Sequence, residues 1–320
     1  MKYLVTGTAG FIGYHVATHL LERGDEVVGL DNFNAYYDPT IKEARNARLT
    51  AHPTFRVVRA NLADTDAVNR LFAEEEEFDK VCNLAAQAGV RWSLDHPHDY
   101  MQANLVGYLN ILEACRHHGK PRLVYASSSS VYGGNTRLPF SEADRVDTPV
   151  SLYAASKKAN ELMAHCYSHL YDMQTVGLRF FTVYGPWGRP DMAMWLFAKA
   201  ILAGQPIQVF NNGDMQRDFT YVDDIVKGIV GALDSPGLDR YEVFNLGNHR
   251  SENLLDVIAL LEKELGKKAQ RELLPMQPGD VKATYADIDK ARRKLGFEPI
   301  TPVAQGVPRF IKWYREYHGV

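Results

Sequence analysis

Cysteine is scarce in this chain: Cys82, Cys115 and Cys166 are the only three in 320 residues. They are odd in number, far apart and without C-x-x-C spacing, which argues against a disulfide framework and a structural zinc site. A reducing, cytoplasmic setting is therefore expected. An excess of one charge is also missing. Thirty-six basic side chains stand against 39 acidic ones, so nothing in the bulk charge draws the protein to nucleic acid or to an anionic membrane. No apolar run reaches the roughly 18 residues that a membrane-spanning helix needs. Met1 to Thr6 opens straight into a strand-like run, and no leader segment is expected. The acidic run Glu74-Glu75-Glu76-Glu77 reads as a solvated helix end.

What is present is an ordinary globular composition, 46% hydrophobic and 11% aromatic, which excludes disorder, collagen and coiled coil. The length predicts one large unit or two intimately joined lobes. The first half alternates strand and helix signals at the spacing of a parallel α/β sheet. Strands are predicted at Tyr3–Val5, Glu26–Leu30, Phe55–Val58, Lys80–Leu84, Arg122–Ala126 and from Thr175 to Arg179. Helices are predicted from Phe11, near 100–118 and over 153–171. After about residue 180, prolines and glycines become frequent between helices near 192–203 and 222–233. A further buried strand is predicted at Tyr241–Leu246, then short helices at 253–265, 287–295 and 304–317. The expected division is residues 1–180, with the strand near 241–246 returning to it, and a smaller C-terminal lobe over 181–320.

Thr6-Gly7-Thr8-Ala9-Gly10-Phe11-Ile12-Gly13 joins the first strand to the first helix. In this G-x-x-G-x-x-G spacing the first glycine allows a tight turn. The second admits a pyrophosphate, and the third lets the helix pack close on the strand. Phosphates would meet the free N–H groups of the first helical turn, including those of Phe11 and Ile12. Asp31 ends the second strand, where a carboxylate accepts from ribose hydroxyls and repels a 2′-phosphate. Asn32, Phe33 and Asn34 follow it, with no arginine to meet such a phosphate, so NAD is expected rather than NADP. Asn61 and Leu62, after the third strand, are expected near the adenine. A Rossmann-type doubly wound parallel sheet is the predicted fold.

Tyr153-Ala-Ala-Ser-Lys157 is a Y-x-x-x-K on a predicted helix, and residues four apart share a face. A free tyrosine, with a pKa of about 10, is a poor base at neutral pH. The Lys157 cation and a nicotinamide ring are expected to favour its phenolate, which can then take a proton from a sugar hydroxyl. Ser127 to Ser130 follow the fifth strand at the carboxyl edge of the sheet, where such folds bind ligands.

Together these residues resemble the extended short-chain dehydrogenase/reductase family, and within it the nucleotide-sugar 4-epimerases. The resemblance runs over essentially the whole chain. It is carried further by Ala85-Ala-Gln-Ala-Gly-Val-Arg91-Trp-Ser93, Arg179-Phe-Phe-Thr-Val-Tyr-Gly-Pro-Trp-Gly-Arg-Pro-Asp-Met192, Asp214-Met-Gln-Arg-Asp-Phe-Thr-Tyr-Val-Asp-Asp224 and Pro275-Met-Gln-Pro-Gly-Asp280. The resemblance implies that Gly7, Gly10 and Gly13 hold the NAD pyrophosphate, with Leu84, Ala85 and Ala86 along the cofactor. It makes Tyr153 the acid/base, Lys157 its partner and Ser128 the hydroxyl beside the reacting oxygen. Thr182 would touch the substrate, while Arg217 and Asp280 would hold the UDP portion. The chain departs from the family at Asn61, where many relatives carry aspartate, and at Gln277, where galactose epimerases have a phosphate-binding arginine. Diphosphate charge then falls to Arg217 and Arg91.

Related dehydratases and decarboxylases carry an acid in the segment of Ser129 and Ser130. Here both positions are hydroxyls, which suits a sugar with a C6 carboxylate. Ser129, Ser130, Thr182 and a cation such as Arg189 would receive it through charge-assisted hydrogen bonds. The expected reaction interconverts UDP-glucuronate and UDP-galacturonate. Epimerisation of UDP-galactose or a UDP-N-acetylhexosamine is the alternative, followed by UDP-glucuronate decarboxylation and by a non-catalytic NAD sensor. The resemblance also implies a homodimer pairing the helices near 100–118 and 153–171.

Overall fold

A computed structural model describes residues 1–75, 77–277 and 279–320. Glu76 of the acidic run and Pro278 of the Pro275–Asp280 string lie outside the described residues. Seven strands form one parallel sheet: β1 (Lys2–Thr6), β2 (Glu26–Asp31), β3 (Phe55–Arg59), β4 (Lys80–Asn83), β5 (Arg122–Ser128), β6 (Thr175–Phe180) and β7 (Tyr241–Leu246). Their spatial order is β7-β6-β5-β4-β1-β2-β3. Helices cover both faces, so the inner strands are short, largely continuous apolar runs rather than alternating ones; Tyr3, Leu4 and Val5 of β1 are all fully buried, while the edge strand β3 is partly exposed. In register, Val5 lies between Gly29 of β2 and Cys82 of β4. Strand order reverses at β1, and the crevice between the carboxyl ends of β1 and β4 is the switch point at which such sheets bind ligands.

On one face, α1 (Phe11–Glu22) and the helix Val222–Asp234 pack through Val16, Leu20, Ile225 and Ile229. On the other, the helices Thr65–Glu74, Gly107–His117 and Leu152–Tyr171 cover Leu4, Val28 and Leu123 with Leu71, Ile111 and Ala164. A separate apolar cluster, with Trp195, Ile258, Leu261 and Phe310 at its centre, joins the helices Ala193–Leu202, Leu254–Leu265 and Val303–His318. Among the described residues, no helix is long and apolar enough to cross a membrane.

Two local expectations change. The helix predicted near 100–118 opens as a π-turn over Met101–Val106 before Gly107–His117. Its widened turn frees a main-chain acceptor, and the Asn160 amide donates to the Asn104 carbonyl at 2.6 Å; insertion of a side chain is a physical cause of such irregularity. The acidic run is also not uniformly solvated. Glu75 is buried and ion-paired with Lys2 at 2.5 Å and with Arg56.

Candidate active site

A cleft of about 1150 Å³ opens along the carboxyl edge of the sheet, and every candidate residue from the sequence lines it. At its floor, Gly7 has φ +77 and its N–H donates to the Leu30 carbonyl at 2.7 Å. A Cβ at Gly13 would sit 2.1 Å from the Gly7 carbonyl oxygen, so α1 can seat on the turn only without a side chain there. A Cβ at Gly10 would also meet that oxygen, at 2.9 Å. Closure of the loop on itself thus demands glycine at position 10, beyond any approach of a ligand. Gly10 is the N-cap of α1, and no side chain caps that end. The first-turn N–H groups around Phe11, Ile12 and Gly13 face the cleft with the positive end of the helix dipole, a setting that suits a pyrophosphate.

Asp31 is buried at the end of β2. Its carboxylate accepts from the Ala9 N–H at 3.0 Å and the Phe33 N–H at 2.8 Å. Burial pushes its pKa up, against the pull of those two bonds and of Lys42 and Arg45. Asn32 lines the cleft beside it. The Asn61 side-chain oxygen accepts from the Ala63 N–H at 3.0 Å, so it closes its own turn as well as lining the adenine end. Leu62 packs there too. Leu84 and Ala85 both donate from their main-chain N–H groups to the Thr6 hydroxyl, at 3.1 and 3.0 Å, which ties the wall at Leu84, Ala85 and Ala86 to the glycine loop. The uncapped helix, the glycine cradle and Asp31 together fit a dinucleotide.

Ser151 caps the helix Leu152–Tyr171 by accepting from Ala154 N–H at 3.1 Å, which sets Tyr153 in the first turn and Lys157 one turn on. The Lys157 ammonium is buried and donates to the Ala126 carbonyl at 3.0 Å. Burial lowers its pKa to about 8. Burial raises the Tyr153 pKa, while the Ser128 hydroxyl and the Arg189 charge oppose the rise. Arg189 is thus one cation that pulls Tyr153 toward the phenolate, while the Lys157 ammonium donates to main chain. Ser128 accepts from Ser130 N–H at 3.1 Å and so shapes the turn that carries Ser129 and Ser130. One residue before, Ser127 donates to Glu161 at 2.8 Å, and Glu161 pairs with Arg179.

Thr182 starts the short strand Thr182–Tyr184, which pairs in parallel with Phe219–Tyr221. Arg189 is not an unpaired cation. Its Nε and one terminal nitrogen donate to Asp191 at 3.0 and 2.5 Å. Arg217 donates to the carbonyls of Gln216 and Lys282 at 2.9 and 3.1 Å, and burial lowers its pKa. Arg91 pairs with Asp280 at 3.3 Å and lies over the Phe210 ring at 4.7 Å. These two join opposite sides of the cleft mouth.

The sequence reading passes over several residues that line the cleft or brace the segments around it, Lys42 and Gln87 in its wall and Asn104 and Arg45 buried behind it. Asn104, in the π-turn, accepts from Gln87 N–H at 2.8 Å and donates to the Gln87 carbonyl and the Ser156 hydroxyl, both at 3.0 Å. Lys42 and Arg45 arrive from the helix Thr40–Thr50. Lys42 holds Asn34, at 2.7 Å from its carbonyl oxygen. Arg45, fully buried, donates to Ala9, Trp187 and Gly188 carbonyls at 2.8, 2.7 and 2.9 Å. The spacing of Ile41, Arg45 and Leu49 four apart was the available signal for that helix.

The model of the NAD dependent epimerase/dehydratase family matches residues 3–247. The chain belongs to this family. Over 334 residues it is 48% identical to Protein CapI of Staphylococcus aureus, covering 99% of each chain. It is also 48% identical to UDP-glucuronate 4-epimerase 1 of Arabidopsis thaliana over 335 residues, covering 100% of this chain and 78% of the relative. Among solved structures, UDP-glucuronic acid 4-epimerase from Bacillus cereus, in complex with UDP-glucuronic acid and NAD, is 36% identical with a TM-score of 0.94, over 99% of this chain and 100% of that one.

Proposed function

We propose that the chain is an NAD-dependent UDP-glucuronate 4-epimerase, interconverting UDP-glucuronate and UDP-galacturonate. The observation that carries the reading is the pairing, across one cleft, of Tyr153, Ser128 and Lys157 with Arg189 and Thr182. An acid/base set thus faces a cation and hydroxyls suited to a sugar carboxylate. The full-length likeness to proteins named for this activity supports it.

Gly7, Gly10, Phe11, Ile12 and Gly13 would hold the NAD pyrophosphate. Asp31 and Asn32 would take the adenosine ribose, Asn61 and Leu62 the adenine, Leu84 to Ala86 the middle of the cofactor, and Lys157 the nicotinamide ribose. When bound, NAD would accept and return a hydride at C4 of the sugar. Ser128 would hold the C4 oxygen, and Tyr153 would take its proton and later give it back. Arg217 and Arg91 would balance the diphosphate, with Asp280 at the nucleoside. Ser129, Ser130, Thr182 and Arg189 would grip the carboxylate. Residues 1–180 with β7 would thus carry the cofactor, and 181–320 mainly the UDP-sugar. A cytoplasmic homodimer is the proposed setting, supported by exposed Leu109, Leu162 and Leu170 on the two helices expected to pair.

Proton NMR of the purified protein with UDP-glucuronate and no added NAD tests the reading. A UDP-galacturonate signal rising to a fixed ratio is expected. A UDP-pentose product would favour decarboxylation. No conversion even with NAD supplied, together with turnover of UDP-glucose, would transfer the assignment to a neutral sugar.

A further inference from the structure

Arg189 is gripped from behind. Asp191 takes two of its N–H donors side-on, at 3.0 and 2.5 Å, and the same carboxylate accepts from the Tyr36 hydroxyl at 2.9 Å. A guanidinium carries five donors in a rigid plane. Fixing one edge fixes the direction of the other, and Arg189 lines the cleft. Burial alone would push the Asp191 carboxyl up, but the Arg189 charge and the Tyr36 hydroxyl outweigh it and hold the group below the usual carboxylate range.

Tyr36 is itself held in place. Its ring meets Trp92 edge-on at 5.2 Å and Tyr37 at 5.9 Å. A Cβ at Gly89 would come within 2.6 Å of the Tyr36 oxygen, so the absence of a side chain there makes room for this hydroxyl. The three residues come from three separate segments. Tyr36 lies between β2 and the helix Thr40–Thr50, Gly89 follows β4, and Asp191 precedes the helix Ala193–Leu202.

We propose that Tyr36 and Asp191 are positioning residues for Arg189, aiming its remaining donors at a carboxylate on the sugar and so setting both preference for a uronate and retention of its carbon dioxide. This rests on the function proposed above. With a ketone at C4, the C5–C6 bond of a uronate can break: carbon dioxide leaves, the electron pair passes to the C4 oxygen, and a proton then adds at C5. A carboxylate held still by a fixed guanidinium is restrained from the rotation that opens this route.

Asp191→Asn and Tyr36→Phe test the proposal with two readouts: calorimetric affinity for UDP-glucuronate against UDP-glucose, and the ratio of UDP-pentose to UDP-galacturonate formed. Loss of the charge-assisted contact in Asp191→Asn is expected to cut the uronate preference about 10-fold and raise the pentose fraction. Tyr36→Phe keeps the ring packing and is expected to move both readouts the same way, by about 3-fold. Parent-like preference and product ratio in both variants would overturn the positioning role alone. A parent protein that fails to epimerise UDP-glucuronate would overturn the function and this proposal with it.

Discussion

Glu161 and Arg179 face each other in a bidentate ion pair, at 2.8 and 2.9 Å, buried between the helix bearing Tyr153 and the neighbouring strand β6. Ser127 donates to the same carboxylate, and Arg179 passes its other terminal nitrogen to the Tyr132 hydroxyl at 3.0 Å. Tyr153, Lys157 and Glu161 recur every four residues on one helix face. Against them stand Ser128, the Ala126 carbonyl and Ser127 of β5.

Glu161→Gln removes one charge of this pair and leaves Arg179 uncompensated, which is expected to cost about 3–5 kcal/mol. Burial alone would raise the Glu161 carboxyl, but Arg179 outweighs it and holds the group below its ordinary range. Folding therefore lowers this pKa, so the contribution is present at neutral pH and is lost as pH falls below the ordinary carboxylate range. Urea unfolding at pH 7 and near pH 3 should show a gap between parent and variant that narrows in acid. A gap independent of pH would contradict this account.

Lys157 runs the other way. Its pKa drops from 10.5 to about 8 on burial. Between those values the unfolded chain keeps a proton that the folded chain has shed, so stability rises with pH across that window. Below it, the buried ammonium counts against the fold. Lys157→Met is expected to stabilise the protein at pH 7 by on the order of 1–3 kcal/mol, less about 1 for the bond lost to Ala126. Activity should fall steeply at the same time. Thermal unfolding at pH 7 and pH 10 checks it, and an advantage that grows toward pH 10 would be the wrong sign.

The sheet was legible because most of its strands, covered on both faces, are short apolar runs bounded by glycine and polar turns; the edge strand β3, with Arg56 and Arg59 in Phe55–Arg59, is the partly exposed exception. The nucleotide loop was legible from spacing alone, since Gly7 and Gly13 are demanded by backbone geometry close in sequence. The pairing of Arg189 with Asp191, only two positions apart, was hidden because a loop sequence does not give side-chain direction. Arg45 was hidden for a different reason. A fully buried arginine on a polar helix looks like a surface residue until the carbonyls of Ala9, Trp187 and Gly188, remote in sequence, close around it. That burial raises the Tyr153 pKa was hidden as well, because burial is a tertiary property that residue spacing does not give.

Asp31 spends its carboxylate on two main-chain donors while facing the cleft. Asp31→Asn keeps the shape, removes the charge and turns a donor toward one of those N–H groups. NAD affinity is expected to fall about 10-fold, and the preference over NADP to fall by at least that much, since the repulsion of a 2′-phosphate is gone. Fluorescence titration of protein stripped of nucleotide with each dinucleotide measures both. An unchanged preference would place cofactor selection elsewhere, with Lys42 the first residue to test.

Tyr153 begins from an unfavourable position for a base: burial raises its pKa, and only the Ser128 hydroxyl and Arg189 pull against that. Tyr153→Phe removes the proton carrier and little else, because the ring stays edge-on to Tyr100 at 6.1 Å. Turnover of UDP-glucuronate is expected to fall by about 10²–10⁴. Affinity for the UDP-sugar should stay within about 3-fold, since only one neutral hydrogen bond is lost. In the parent, the rate should rise with pH as the phenol gives up its proton more readily, and in Arg189→Gln that rise should shift to higher pH because an opposing cation is gone. Rates measured from pH 6 to 10 decide between this and a fixed phenolate: a limb that stays in place in Arg189→Gln would mean that Arg189 does not govern the proton on Tyr153.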